Sequence, residues 1–131
     1  MSTQLPANLS GTVTRFKGNG RKLGYPTANL SVETDLKDGV YFGFADMAEW
    51  RGHPALIFVG TPTTVGDTER RVEAYLLDIT DQDYYGEQLA LNLVEYHRPN
   101  QTFDNLEELI KAMHTDESVA RQFFNSGSGR I

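Results

Sequence analysis

The segment GNGRKLGYPTAN, from Gly18 to Asn29, gathers glycines, cations and small oxygen-bearing side chains in a pattern suited to a phosphate-bearing ligand. Gly18, Gly20 and Gly24 let backbone N–H groups approach a phosphate closely, while Arg21 and Lys22 supply charge to neutralise it. The spacing matches neither Gly-Lys-Ser/Thr of a Walker A loop nor G-x-G-x-x-G, and the glycines alone would serve equally well in a surface turn. Pro26 then fixes the backbone, and on an extended chain Thr27 and Asn29 point the same way. A hydroxyl and an amide oxygen beside a phosphate loop suit a metal–nucleotide site, since Mg²⁺ takes few protein ligands when phosphates supply the rest. As turn or cap residues, the same two types would be equally at home.

A second chemical feature lies in RRVEAYLLDI, where strand alternation puts Glu73 on one face with Tyr75, Leu77 and Ile79. A carboxylate left among such neighbours is partly desolvated. Burial raises a Glu pKa toward the range where a general base works best, which suits proton abstraction from a hydroxyl. The alternative is an ion pair with Arg70 or Arg71 at the start of the strand, or a rim position in an open barrel. His53, His97 and His114 have no metal-ligand spacing, and the last is expected to close a helix. Asp78, Asp81 and Asp83 flank a turn, where Asp is common.

These residues must be positioned by a small β structure. From Gly11 to Tyr96, short β-branched and aromatic runs alternate with Gly, Pro, Asp and Thr, the pattern of an all-β barrel or sandwich rather than of βαβ units. The expected strands are Thr12 to Phe16, Val40 to Asp46, Ala55 to Val59, Val72 to Ile79 and Gln88 to Tyr96. Asp104 with Glu107 three residues on has the form of a capping box, and Leu106, Leu109, Ile110 and Met113 share one helical face. Asp116 would cap a further segment with Val119, Ala120 and Phe123 on one side. One domain over residues 1–125 is expected, with 126–131 (SGSGRI) as a flexible tail.

Composition narrows the ligand. The 131 residues carry a net charge of −6, which opposes nucleic acid, and the only basic cluster is Arg15, Lys17, Arg21 and Lys22. Such a cluster suits a small polyanion such as a nucleotide phosphate tail, or else a solvated loop. The chain has no cysteine, so disulfides, thiolate metal sites and cysteine nucleophiles are excluded. No apolar run approaches membrane-span length, and MSTQLPANLS lacks the pattern of a secretory signal, so a cytoplasmic protein is expected.

Read whole, G-x-G-R-x-L-G-x-P-T-A-N at Gly18 to Asn29 resembles the signature of riboflavin kinases, a family that transfers phosphate from ATP to riboflavin to give FMN. The resemblance spans about Gly11 to Phe124. It implies a six-stranded Greek-key β-barrel with a C-terminal α-helix, metal and ATP-phosphate binding by Thr27 and Asn29, and a nucleotide flap at Gly18, Gly20, Arg21 and Lys22. It further assigns Glu73 as the base that takes the proton from the ribityl 5′-hydroxyl. DYYGEQL, with Tyr85 and Gly86, is similar to the family's Y-G turn, and YHRPNQTF to its L-R-P-E-x-x-F segment, so Arg98, Phe103 and Tyr25 are implied on the flavin side. His97 and Asn100 depart from that segment, and VGTPTTVG at 59–66 departs from the family pattern altogether.

The resemblance thus implies Mg²⁺, with Mn²⁺ or Zn²⁺ left open, ATP as co-substrate, riboflavin and FMN as partners, and a monomer. Many bacterial relatives carry an adenylyltransferase domain for which 131 residues leave no room, so the product expected here is FMN. A non-catalytic flavin- or nucleotide-binding barrel is the alternative.

Overall fold

The computed structural model describes residues 4–14, 27–61, 69–79 and 86–125. Among them are β1 (Ala7–Thr14), β2 (Ala28–Ser31), β3 (Gly39–Met47), β4 (Trp50–Gly60), β5 (Arg71–Leu76), β6 (Gln88–Arg98) and one helix, α1 (Leu106–Asn125). The strands close into an antiparallel barrel in the order β1-β2-β5-β4-β3-β6. β3, β4 and β5 form a meander and β6 returns beside β3, which is the Greek-key arrangement expected.

Inward-facing residues fill the barrel: Val13, Leu30, Tyr41, Ile57, Val72, Leu89, Leu91 and Leu93 are all nearly inaccessible. A second apolar layer lies outside it, where Val40, Phe42 and Leu56 meet Leu77 and the helical Ala120 and Phe124. β3 is therefore covered on both faces, and its sequence GVYFGFADM runs almost continuously apolar instead of alternating. The outer layer is largely aromatic, with Phe42 beside Phe123 at 5.4 Å between ring centres and Phe44 edge-on to Phe124 at 5.4 Å. Ring pairs of this geometry contribute beyond their buried area.

Several local expectations change. β2, which holds Asn29, was not among the expected strands; it has four residues and exists because β1 and β5 pair with it on either side. β1 starts at Ala7, well before Thr12, and β4 and β6 extend past their expected ends. β5 stops at Leu76 because the chain turns at Asp78, whose φ of 63° is left-handed. Leu77 thus stays in the outer layer with Tyr75, while Ile79 packs against the barrel interior.

The helix cap falls one residue later than expected. Glu108 N–H donates to Asn105 Oδ1 at 2.9 Å, and Leu109 N–H to the Asn105 carbonyl. The sequence holds two overlapping frames, Asp104 with Glu107 and Asn105 with Glu108, and the fold uses Asn105 as the cap, with the Glu108 carboxylate accepting from the Asp104 N–H at 3.4 Å. Nor does Asp116 cap a second segment: α1 is continuous to Asn125, and Asp116 is buried in its middle, so His114 does not close a helix either. The expected tail at 126–131 lies outside the described residues.

Candidate active site

Directly paired residues on adjacent strands share a face of the sheet, so the register defines a polar row across the outside of the barrel. Thr14 on β1 pairs with Asn29 on β2, Asn29 with Glu73 on β5, and Glu73 with Phe58 on β4. Thr27, just ahead of β2, donates its Oγ1 hydroxyl to Glu73 Oε1 at 2.7 Å. Arg71, two residues before Glu73 and on the same face, places Nε 3.2 Å from Oε2. Of the three residues implied as metal site and base, Thr27 and Glu73 are thus hydrogen-bonded to one another, and the third, Asn29, is the paired neighbour of the carboxylate.

The Glu73 side chain is 17% exposed and Arg71 only 7%, so the carboxylate is not left alone among apolar groups: it lies in an ion pair at the barrel surface. One of the two arginines weighed from the sequence supplies the charge. Arg70, the other, points elsewhere, bonding Asp38 and the carbonyls of Thr34 and Leu36. Alternation along the chain separates the two jobs. Tyr75 shares Glu73's face, and burial raises its phenol pKa, with Glu117 adding to the effect, which keeps it neutral.

Whether Thr27 and Asn29 can hold a cation is tested by their own hydrogen bonds. A hydroxyl has one proton and two lone pairs, and Thr27 spends its proton on Glu73, which leaves oxygen lone pairs for another partner. Asn29 is 7% exposed, and its Oδ1 is buried with no hydrogen-bond partner among the described residues. An unsatisfied buried oxygen calls for an explanation such as a bound ion. Two neutral oxygens beside a carboxylate fit a hard divalent cation. No cluster of three His, Cys, Asp or Glu that could hold a metal occurs among the described residues, so such an ion would take its remaining ligands from elsewhere.

Arg98 ends β6 and belongs to a different constellation. Its Nε and Nη2 donate to the two carboxylate oxygens of Asp116 at 2.8 and 2.7 Å, and Nη1 to the Pro99 carbonyl. His97 Nε2 also reaches Asp116, at 3.1 Å, and because a carboxylate only accepts, that nitrogen carries the proton. Consecutive strand residues normally face opposite ways. Here β3 pairs Val40 with Arg98 and then Tyr41 with Tyr96, so His97 is an extra residue that lets both side chains meet the helix. The ring of His97 stacks on Phe42 at 4.7 Å.

Asp116, expected as a cap, is instead the buried partner of Arg98 and His97. The available signal was its place on the helix face of Met113 and Ala120, an apolar stripe where an acidic residue needs a cation. Phe103 is half-buried in the segment between β6 and α1. Gly86 sits in a turn at φ 86°, a conformation that favours glycine, as the expected Y-G turn requires. Gly18, Gly20, Arg21, Lys22, Tyr25 and Tyr85 lie outside the described residues, as do positions 62–66 of the 59–66 loop.

The fold and site together define a small Greek-key barrel with a polar, oxygen-rich site on its outer wall. The Flavokinase family model, described as riboflavin kinase, matches residues 3–124. The human riboflavin kinase is 33% identical over 125 residues, covering 90% of this chain and 81% of that protein. A bifunctional riboflavin kinase/FMN phosphatase of Arabidopsis thaliana is 36% identical over 124 residues, covering 89% of this chain but only 33% of that longer protein. In fold, the riboflavin kinase of Trypanosoma brucei superposes with a TM-score of 0.73 over 99% of this chain and 89% of that one, at 20% identity. The chain belongs to the riboflavin kinase family.

Proposed function

We propose that this protein transfers the γ-phosphoryl group of ATP to the ribityl 5′-hydroxyl of riboflavin, giving FMN and ADP. The observation that carries the reading is the hydrogen-bonded placement of Thr27 and Glu73 with Asn29 alongside, in a chain of this family. Glu73 accepts the hydroxyl proton as the ribityl oxygen bonds to the γ-phosphorus and the bond from that phosphorus to the bridging oxygen of ADP breaks. Each carboxylate oxygen has two lone pairs, so the bonds from Thr27 and Arg71 leave room for the substrate hydroxyl.

Thr27 and Asn29 would hold the divalent cation of the nucleotide, taken here as Mg²⁺. Such an ion neutralises charge on the phosphate oxygens when bound. Gly18, Gly20, Arg21 and Lys22 are assigned to the cover over those phosphates. Phe103, with Tyr25, is assigned to the flavin, and Arg98 to the same side, through the segment that it fixes by bonding Asp116 and Pro99. We take the protein to act as a monomer in the cytoplasm, with neither nucleic acid nor membrane as a partner; no helix among the described residues is long and apolar enough to cross a membrane.

The test is to incubate the protein with riboflavin and Mg-ATP and separate the flavins by chromatography, with Glu73→Gln alongside. The expected result is FMN from the parent and a rate about 10²–10⁴-fold lower from the variant, the usual contribution of a positioned base. No FMN from folded protein, across several nucleotides and metals, would overturn the reading.

A further inference from the structure

The arginine beside Glu73 is assigned to neither substrate in the proposed transfer, yet its surroundings are specific. Arg71 and Glu73 stand two residues apart on β5, so strand geometry alone puts both on the outer face. The Arg71 side chain is 7% exposed. Burying a guanidinium so deeply is costly unless an opposite charge with good geometry faces it, and Glu73 Oε2 does so at 3.2 Å. Opposite Arg71 on β4 stands Gly60, where a side chain would collide with the amide of Asn100. The outer wall is thus closely occupied at this level.

Glu73 is consequently held from both sides. Oε1 accepts from Thr27 and Oε2 from Arg71, and these two contacts fix the rotation of the carboxylate plane. A glutamate with three free torsions would otherwise spread its oxygens over several ångströms, whereas a base must sit within hydrogen-bond reach of the proton it takes. Arg70 provides an internal contrast: it is adjacent in sequence and equally charged, but it faces the other way and fastens the β2–β3 connection.

We propose that Arg71 is a positioning residue for the phosphoryl-transfer reaction, acting through Glu73 by orienting its carboxylate toward the substrate hydroxyl. The inference rests on the reading of Glu73 as the base. Arg71 has no role of its own in binding either substrate on this account, and its effect should vanish when Glu73 can no longer act as base.

A double-mutant cycle tests this. Arg71→Gln is expected to lower kcat by about ten- to a hundredfold, the scale of a misplaced reacting group, while KM for riboflavin and ATP changes far less. In a Glu73→Gln background, Arg71→Gln should cost nothing further, because groups that act as a unit are not additive. Arg71→Lys keeps the charge but not the fork and should restore part of kcat. It also serves if Arg71→Gln fails to fold, and unfolding midpoints are recorded for every variant. Arg70→Gln is the control, its losses following stability and adding to those of Glu73→Gln.

Equal losses from Arg71→Gln in both backgrounds, or a rise in KM at unchanged kcat, would overturn the proposal. Glu73→Gln with near-parental turnover would instead refute the base itself, and the positioning role with it; that result is visible in the single variant alone.

Discussion

Replacing Asp116 by Asn should destabilise the protein far more than an ordinary mid-helix substitution. The carboxylate is 1% exposed and accepts two bonds from Arg98 and one from His97. Asn keeps the volume but turns one acceptor oxygen into an NH₂ group, which then faces a donor, and it leaves the Arg98 charge unanswered. Removing one partner of a buried ion pair costs about 3–5 kcal/mol. Arg98 is 24% exposed and recovers some water, so the lower end, about 3 kcal/mol, is the expected loss. For a domain of this size that corresponds to a midpoint about 10–15 °C lower. Urea and thermal unfolding measure it, with Arg98→Met/Asp116→Leu as the comparison. The double variant removes both charges and should lie close to the parent, since apolar replacement of a buried pair is often neutral or better. A loss below about 1 kcal/mol for Asp116→Asn would refute the view that this pair latches the helix to the barrel.

Two further outcomes are expected. Arg121 bonds Asp78 through both Nη atoms and lowers its carboxyl pKa, so this contact supports the fold at neutral pH and is lost as pH falls through the lowered value. Asp78→Asn keeps a residue that tolerates left-handed φ while removing the charge; it should flatten stability against pH only below the ordinary aspartate range, and weakly, because Asp78 is 71% exposed. Acid titration of the unfolding midpoint in low and high salt checks this. A Cβ at Gly43 would overlap the backbone carbonyl oxygen of Asn92 on β6, so Gly43→Ala should cost at least about 1–3 kcal/mol by forcing the two strands apart, which equilibrium unfolding reads directly.

Much of this protein was legible in its sequence because local chemistry dictated it. Short β-branched runs with turn residues between them gave an all-β barrel or sandwich, the apolar spacing after Asn105 gave a helix, and the resemblance carried by the Gly18 to Asn29 segment with Glu73 implied the family and its closed barrel. Alternation alone put Thr27 with Asn29, and Glu73 with Tyr75, on shared faces. The helix frame could not be settled that way, because two capping pairs overlap and their local energies are alike.

Tertiary structure decided what depends on residues far apart in the chain. Thr27 and Glu73 are separated by 46 positions, and only the pairing of β2 with β5 makes them neighbours. β2 is too short to announce itself and takes its form from the strands on either side. Asp116 looked like a cap because Asp is a good one; it became a buried anchor because an extra residue in β6 turns both His97 and Arg98 toward the helix. Sequence by itself thus determined most of the strands, the presence of a C-terminal helix and the residue types the site would use, but not β2 or the unbroken run of the helix. Which carboxylate meets which cation was fixed by strand register and burial, since a charge inside the protein must find its partner in space wherever that partner lies along the chain.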